Sequence, residues 1–152
     1  MTDSEQRLLA ECSWKENRRG QSEGMTSIIN VVQNRVGHRN YPSTIEGVIM
    51  QPKQFTSMSV KSDPEYSLDP AKSKGVDLAA WQTAQGLAQG AADGKLEDLT
   101  HGSTLYYAPK SIMTHATIAL PTGETIPFPQ KWNPAKVVYK ATIQGQLFFT
   151  EI

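Results

Sequence analysis

Met25, Ile28, Ile29, Val32 and Val36 fall at i, i+3, i+4, i+7 and i+11, the clearest helical periodicity in the chain. That spacing predicts a helix capped by Ser22 and stopped at Gly37. Ahead of it, Leu8, Leu9 and Cys12 share one side of a helix that Asp3 or Ser4 can cap and that runs to about Glu16. A short third helix, capped by Ser43 or Thr44, turns Ile45, Val48 and Ile49 inward and ends at Gln51-Pro52, where proline disfavours helix in the residue before it. Gln54-Phe55-Thr56-Ser57 reads as irregular, and residues 59 to 76, polar and carrying Pro64 and Pro70, read as a long loop. Asp77 opens a fourth helix to about Ala92 with Leu78, Trp81 and Ala84 on one side. Its small residues Ala79, Ala80, Gly86 and Gly90 predict close packing against another helix.

From Thr104 onward the pattern turns strand-like. Leu105-Tyr106-Tyr107 ends at Ala108-Pro109. Thr117 to Leu120 and Thr125 to Phe128 flank the turn Pro121-Thr122-Gly123-Glu124, and Val137-Val138-Tyr139 and Leu147-Phe148-Phe149 flank Gln144-Gly145. Helices in the first two-thirds and β-hairpins in the last third make an α+β, mainly α, layout rather than alternating βαβ units.

Length and composition narrow the picture further. At 152 residues, one domain spanning 1–152 is expected. Lys+Arg and Asp+Glu are both 15, which argues against a nucleic-acid partner, since that affinity rests on an excess of basic side chains. The single cysteine, Cys12, allows no internal disulfide and reads as a small buried hydrophobe. Met1-Thr2-Asp3-Ser4-Glu5 lacks the apolar run of a signal peptide, and no stretch approaches the ~18 apolar residues of a membrane span. A monomer made in the cytoplasm is the expectation.

One carboxylate then stands out. Glu16 sits at the end of the first helix, two residues after Trp14, with Arg18, Arg19 and Gly20 following before Ser22-Glu23-Gly24 opens the next helix. A carboxylic acid whose pKa is raised by apolar surroundings can protonate the leaving oxygen of a glycosidic bond, and Trp14 could supply such a wall. Hydrolysis adds a second carboxylate about 5–9.5 Å away, for which Glu23 is the nearest choice. If instead the substrate's own hydroxyl attacks the anomeric carbon, one glutamate serves as acid and then as base. Neither route needs a cofactor, and His38, His101 and His115 lack the spacing of a metal site.

The blocks Leu8-Leu9-Ala10, Glu16-Asn17-Arg18, Glu23-Gly24-Met25, Val31-Val32-Gln33-Asn34-Arg35-Val36, Tyr41-Pro42-Ser43-Thr44-Ile45 and Gln51-Pro52-Lys53-Gln54-Phe55-Thr56, with Leu105-Tyr106-Tyr107 later, resemble the bacterial cell-wall hydrolase family typified by spore-cortex lytic enzymes. The resemblance is close over residues 8 to 56 and loose over 78 to 150. It implies a lysozyme-like, lytic-transglycosylase-like helical lobe with β-hairpins in the C-terminal third. It also implies peptidoglycan as substrate and partner, cleavage between MurNAc and GlcNAc with a 1,6-anhydro end, and Glu16 as catalytic acid and base. The chain departs from the family pattern in three places. Lys15-Glu16-Asn17 stands where the family has Ala-Glu-Ala, Gly20 where it has a second glutamate, and Gln146 where it has a histidine. A phage lysis enzyme that reaches the wall through a membrane lesion made by another protein fits this reading. A muramidase-type hydrolase and a non-catalytic glycan-binding module are the alternatives.

The remaining substrate-binding expectations each have a structural counterpart. Gln54 and Thr56 can bond N-acetyl groups or fix the turn, and Phe55 can line the cleft or fill the core. Tyr106 and Tyr107 point to opposite faces of a strand, so one is core and the other can face a groove. Asn34 can contact substrate or cap backbone groups, and Trp132 can be a sugar platform or core. Arg18, Arg19, Arg35 and Arg39 either favour an anionic polymer or form a solvated face.

Overall fold

A computed structural model describes residues 1–112 and 116–152; His115 lies outside the described residues. The chain divides into two compact units, Met1–Leu99 and Thr100–Ile152.

The first unit is helical: α1 Asp3–Asn17, a 3-10 turn Arg18–Gly20, α2 Gln21–Arg35, α3 Ile45–Ile49, α4 Thr56–Ser59 and α5 Gly75–Ala92. None of the described helices is long and apolar enough to cross a membrane. α2 is the spine. Ile28, Ile29, Val31 and Val32 are wholly buried, and burial of each such side chain stabilises by roughly 1.5–3 kcal/mol. α1 and α5 pack against α2 and against each other. Val36, counted on the α2 stripe from spacing, is only partly buried, because the helix ends at Arg35 and Gly37 turns the chain at φ 74.

Local chemistry sets the helix ends, not always where spacing placed them. α1 is capped by Thr2 rather than Asp3 or Ser4. The Thr2 side chain accepts from the Glu5 amide while the Glu5 carboxylate accepts from the Thr2 amide, a reciprocal capping box. α2 begins at Gln21 after Gly20, with no side-chain cap from Ser22. α3 is as expected, with the Thr44 hydroxyl accepting from Gly47. Thr56 and Ser57, read as irregular, form the first turn of α4. On α5 the close contacts are made by Trp81, Ala84, Ala88 and Ala91. Gly86 and Gly90 do not take part, since a Cβ on either would meet nothing within 4 Å.

The second unit holds β1 Leu105–Tyr107, β2 Ala116–Ala119, β3 Thr125–Phe128, β4 Val137–Ile143 and β5 Gln146–Glu151. β1, β5 and β4 form an antiparallel sheet in that order, and β2 pairs with β3 in a separate hairpin. Both expected hairpin turns are present. Gln144 and Gly145 adopt positive φ of 50 and 77, the geometry of a two-residue hairpin loop matched to strand twist. The core is aromatic: Tyr107, Phe128 and Phe149 are buried, with Trp132 and Tyr139 packed against them. Ring pairs Tyr107–Trp132, Phe128–Trp132 and Trp132–Phe149 meet edge-on at 5.2–5.8 Å, the favoured arrangement for quadrupolar rings.

Candidate active site

Glu16 occupies the last turn of α1 and is partly buried. The Ser57 hydroxyl donates to its Oε2 at 2.6 Å, and Ser57 is itself buried at 2% exposure. Helical periodicity explains the direction of the carboxylate. Residues i and i+4 share a face, so Glu16 follows the wholly buried Cys12, whose thiol pKa is pushed up by burial and then by the charge of Glu16. Trp14, two residues earlier, lies on the other side of the helix. Its indole N–H donates to the Asp77 carbonyl at 2.9 Å, and the Arg18 guanidinium stacks 4.3 Å above its ring. Positions i and i+2 of a helix point to different sides. Cys12 is the buried hydrophobe the sequence suggested.

The segment that carries Ser57 is tied to α1 by two basic side chains. The Lys15 ammonium, at 8% exposure for the residue, donates to the carbonyls of Ser57 at 3.4 Å and Tyr66 at 2.8 Å and pairs with Glu11 at 3.6 Å. Arg18 forms ion pairs with Glu65 and, at 3.3 Å, with Asp77; the Glu65 bond, more than any other factor, holds its pKa above the usual value. Within the loop, the Thr56 hydroxyl donates to Asp63 at 2.6 Å and the Glu65 amide donates to the same carboxylate at 2.9 Å, and these bonds lower the Asp63 pKa in that order.

Immediately after Glu16 the helix breaks. Asn17 takes φ −155, ψ 42, and its carboxamide lies over the start of α2. A Cβ placed on Gly20 would stand 2.7 Å from Asn17 Oδ1, and one on Gly24 2.7 Å from Asn17 Nδ2. A side chain on either glycine would have to displace the Asn17 carboxamide.

Of the residues named from sequence, the structure brings Ser57's neighbours Phe55 and Thr56 onto the chain segment joined to Glu16. Phe55 is fully buried with the Arg35 guanidinium 5.3 Å above its ring, and Thr56 is engaged with Asp63. Gln54 is exposed and accepts from Arg35 at 3.2 Å. Glu23 is exposed in the first turn of α2. Asn34 donates to Asp98 at 3.0 Å, one turn beyond Asn30, which clamps the Glu97 carbonyl and the Leu99 amide. In the second unit Tyr107 is the core member of the tyrosine pair. Its hydroxyl donates to the Pro127 carbonyl at 2.8 Å, and burial pushes its pKa up to about 12. Tyr106 stacks on Phe148, and Trp132 joins the aromatic core.

Sequence reasoning missed Ser57 and Lys15. Nothing in the sequence separates the hydroxyl of Ser57 from that of Thr56 beside it. Lys15 did leave a signal: it falls at i+7 from Leu8 and i+3 from Cys12, on the apolar register of α1, where a lysine must bury its ammonium against acceptors.

Two solved structures share this fold. The catalytic domain of the germination-specific lytic transglycosylase SleB from Bacillus anthracis aligns over 97% of this chain and 95% of its own, with a TM-score of 0.66 and 21% identity. The catalytic domain of the Bacillus cereus SleB protein aligns over 97% and 91%, with a TM-score of 0.66 and 22% identity. The helical lobe with C-terminal hairpins expected from sequence is therefore a fold shared with these domains. No curated protein sequence matches significantly. A sequence profile described as Cell Wall Hydrolase matches residues 20–149, beginning four residues after Glu16 and spanning most of the chain. The chain belongs to the cell wall hydrolase family.

Proposed function

We propose that this protein is a lytic transglycosylase that cleaves peptidoglycan glycan strands between MurNAc and GlcNAc. The observation that carries the reading is the placement of Glu16. It sits in the last turn of α1, with one carboxyl oxygen held by Ser57 at 2.6 Å. The fold shared with SleB catalytic domains supports it. With Ser57 donating to Oε2, the acid proton is carried on Oε1. Glu16 gives that proton to the glycosidic oxygen as the bond to C1 of MurNAc breaks. The C6 hydroxyl of the same sugar then bonds to C1 while the Glu16 carboxylate takes its proton, so no water is consumed. One carboxylate suffices for both half-steps.

Glu16→Gln keeps the Ser57 bond and removes the acid. It should fold normally and lose release of soluble fragments from purified sacculi by at least ~100-fold. Retained activity rejects the assignment. Mass spectrometry of the wild-type products separates the two chemistries, because anhydro ends are lighter by one water than the reducing ends a hydrolase using Glu23 would leave.

The biological setting we propose is lysis from within by a monomeric phage enzyme. Cytoplasmic expression should lyse cells only when a membrane-permeabilising protein is co-expressed. Lysis without one overturns this setting.

A further inference from the structure

The Ser57 hydroxyl can hold Glu16 only if the Ser57 backbone is itself held. Three observations bear on this. Ser57 lies in α4, a single turn of four residues, Thr56–Ser59, too short to be stable on its own. The chain then runs through turns to Tyr66 without regular structure. A buried ammonium, Lys15, donates to the carbonyls at both ends of this excursion, Ser57 at 3.4 Å and Tyr66 at 2.8 Å, and sits 5.7 Å from the Tyr66 ring. Lys15 and Glu16 are consecutive on α1. The same helical turn therefore presents the carboxylate to the hydroxyl of Ser57 and the ammonium to its carbonyl.

We propose that Lys15 is a positioning residue for the reaction, clamping the Ser57–Tyr66 loop so that the Ser57 hydroxyl fixes the rotamer of Glu16. The inference rests on the reading of Glu16 as the acid. The physical case is two contacts joined through one residue: the ammonium on the Ser57 carbonyl, and the Ser57 hydroxyl on the carboxylate. Without the ammonium, the Ser57 and Tyr66 carbonyls lose their tie to α1, and the Ser57 hydroxyl on Oε2 is carried by a four-residue helix and a loop. Burying an ammonium costs several kcal/mol unless acceptors surround it, and here two carbonyls and the Glu11 carboxylate do so.

The test uses the full chain on soluble peptidoglycan strands, with kcat and KM measured separately for Ser57→Ala, Lys15→Met and the double variant. Each single variant should lower kcat about 10–100-fold and leave KM within about twofold, because a misplaced acid slows proton transfer without weakening substrate binding. The double variant should be no slower than the slower single, because both changes break the same chain of contacts. Wild-type kcat in Lys15→Met overturns the proposal, as do losses that multiply in the double variant. If Lys15→Met does not fold, Lys15→Arg carries the test. Its planar fork keeps the charge but not the paired ammonium–carbonyl geometry, so a similar kcat loss is expected, and wild-type kcat overturns the proposal. Glu16→Gln is run alongside. If it remains active, the reading of the acid has failed. If it is inactive while the Lys15 variants run at wild-type rate, only the clamp has failed.

Discussion

The end of α1 and the aromatic core of the C-terminal unit hold their side chains in opposite ways. Around Glu16 the contacts are directional: a hydroxyl on a carboxylate, an ammonium on two carbonyls, a guanidinium on two carboxylates. Around Phe149 they are ring against ring, with Tyr107, Phe128, Trp132 and Tyr139 at centroid distances of 5.8–6.0 Å. Directional bonds fix where one atom points and are lost one at a time. Apolar burial fixes a volume and fails by leaving a cavity. A site that must aim a proton needs the first kind; a small sheet unit that must stay folded needs the second. Trp132, open from sequence between sugar platform and core, and Tyr107, one of two tyrosines of which one was expected inside, belong to the second kind.

The largest effect should come from emptying the aromatic core. Phe149→Ala removes the ring shared by four neighbours and should destabilise the Thr100–Ile152 unit by about 3–5 kcal/mol. Hydrogen exchange resolved along the sequence reads this directly, as faster exchange in β1, β4 and β5. A cost under ~1 kcal/mol would mean that the cluster is loosely packed and would blur the contrast with the α1 end.

A smaller effect, with an unusual sign, is expected at the helix break. Gly→Ala inside a helix normally stabilises by up to ~1 kcal/mol. Gly24→Ala should instead destabilise by about 1–3 kcal/mol, because its methyl meets the Asn17 carboxamide at 2.7 Å. Asn17→Ala should restore the Gly24→Ala variant, and a double-mutant cycle in urea measures the coupling. Additive effects would show that Asn17 does not occupy the glycine cradle.

The helical lobe was largely legible in sequence because its cause is local. The stripe from Met25 to Val32 and the Thr44 cap state their geometry in the spacing of a few residues. The two hairpins were legible for the same reason, through Gly123 and Gln144-Gly145. The site was legible only in part. Glu16 stood out by its place in a motif, but its partner comes from residue 57, and no periodicity connects positions 41 apart in the chain. Trp14, two residues before Glu16, spends its indole N–H on the Asp77 carbonyl and its ring face on Arg18, partners 63 and 4 positions away.

The smallest effect bears on the boundary between the two kinds of contact, at Tyr107, whose ring is in the aromatic core while its hydroxyl donates to Pro127. Tyr107→Phe keeps the ring and loses that bond, at a cost of about 0.5–1.5 kcal/mol near neutral pH. The pH dependence gives the sharper test. Burial raises the phenol from 10.0 to about 12 in the folded chain, so the folded state keeps its proton while the unfolded chain begins to lose it. The stability linked to this group is complete below pH 10 and is lost as pH rises through about 12. The phenylalanine variant has no proton to lose, so its deficit against the wild type should shrink steadily across that window in urea titrations. A deficit that stays constant up to pH 11.5, about half a unit below the raised value, would mean that the phenol titrates alike in both states. Tyr107 would then lie at the surface, available to a sugar ring, and the separation drawn here between aiming residues and filling residues would have to be redrawn through β1.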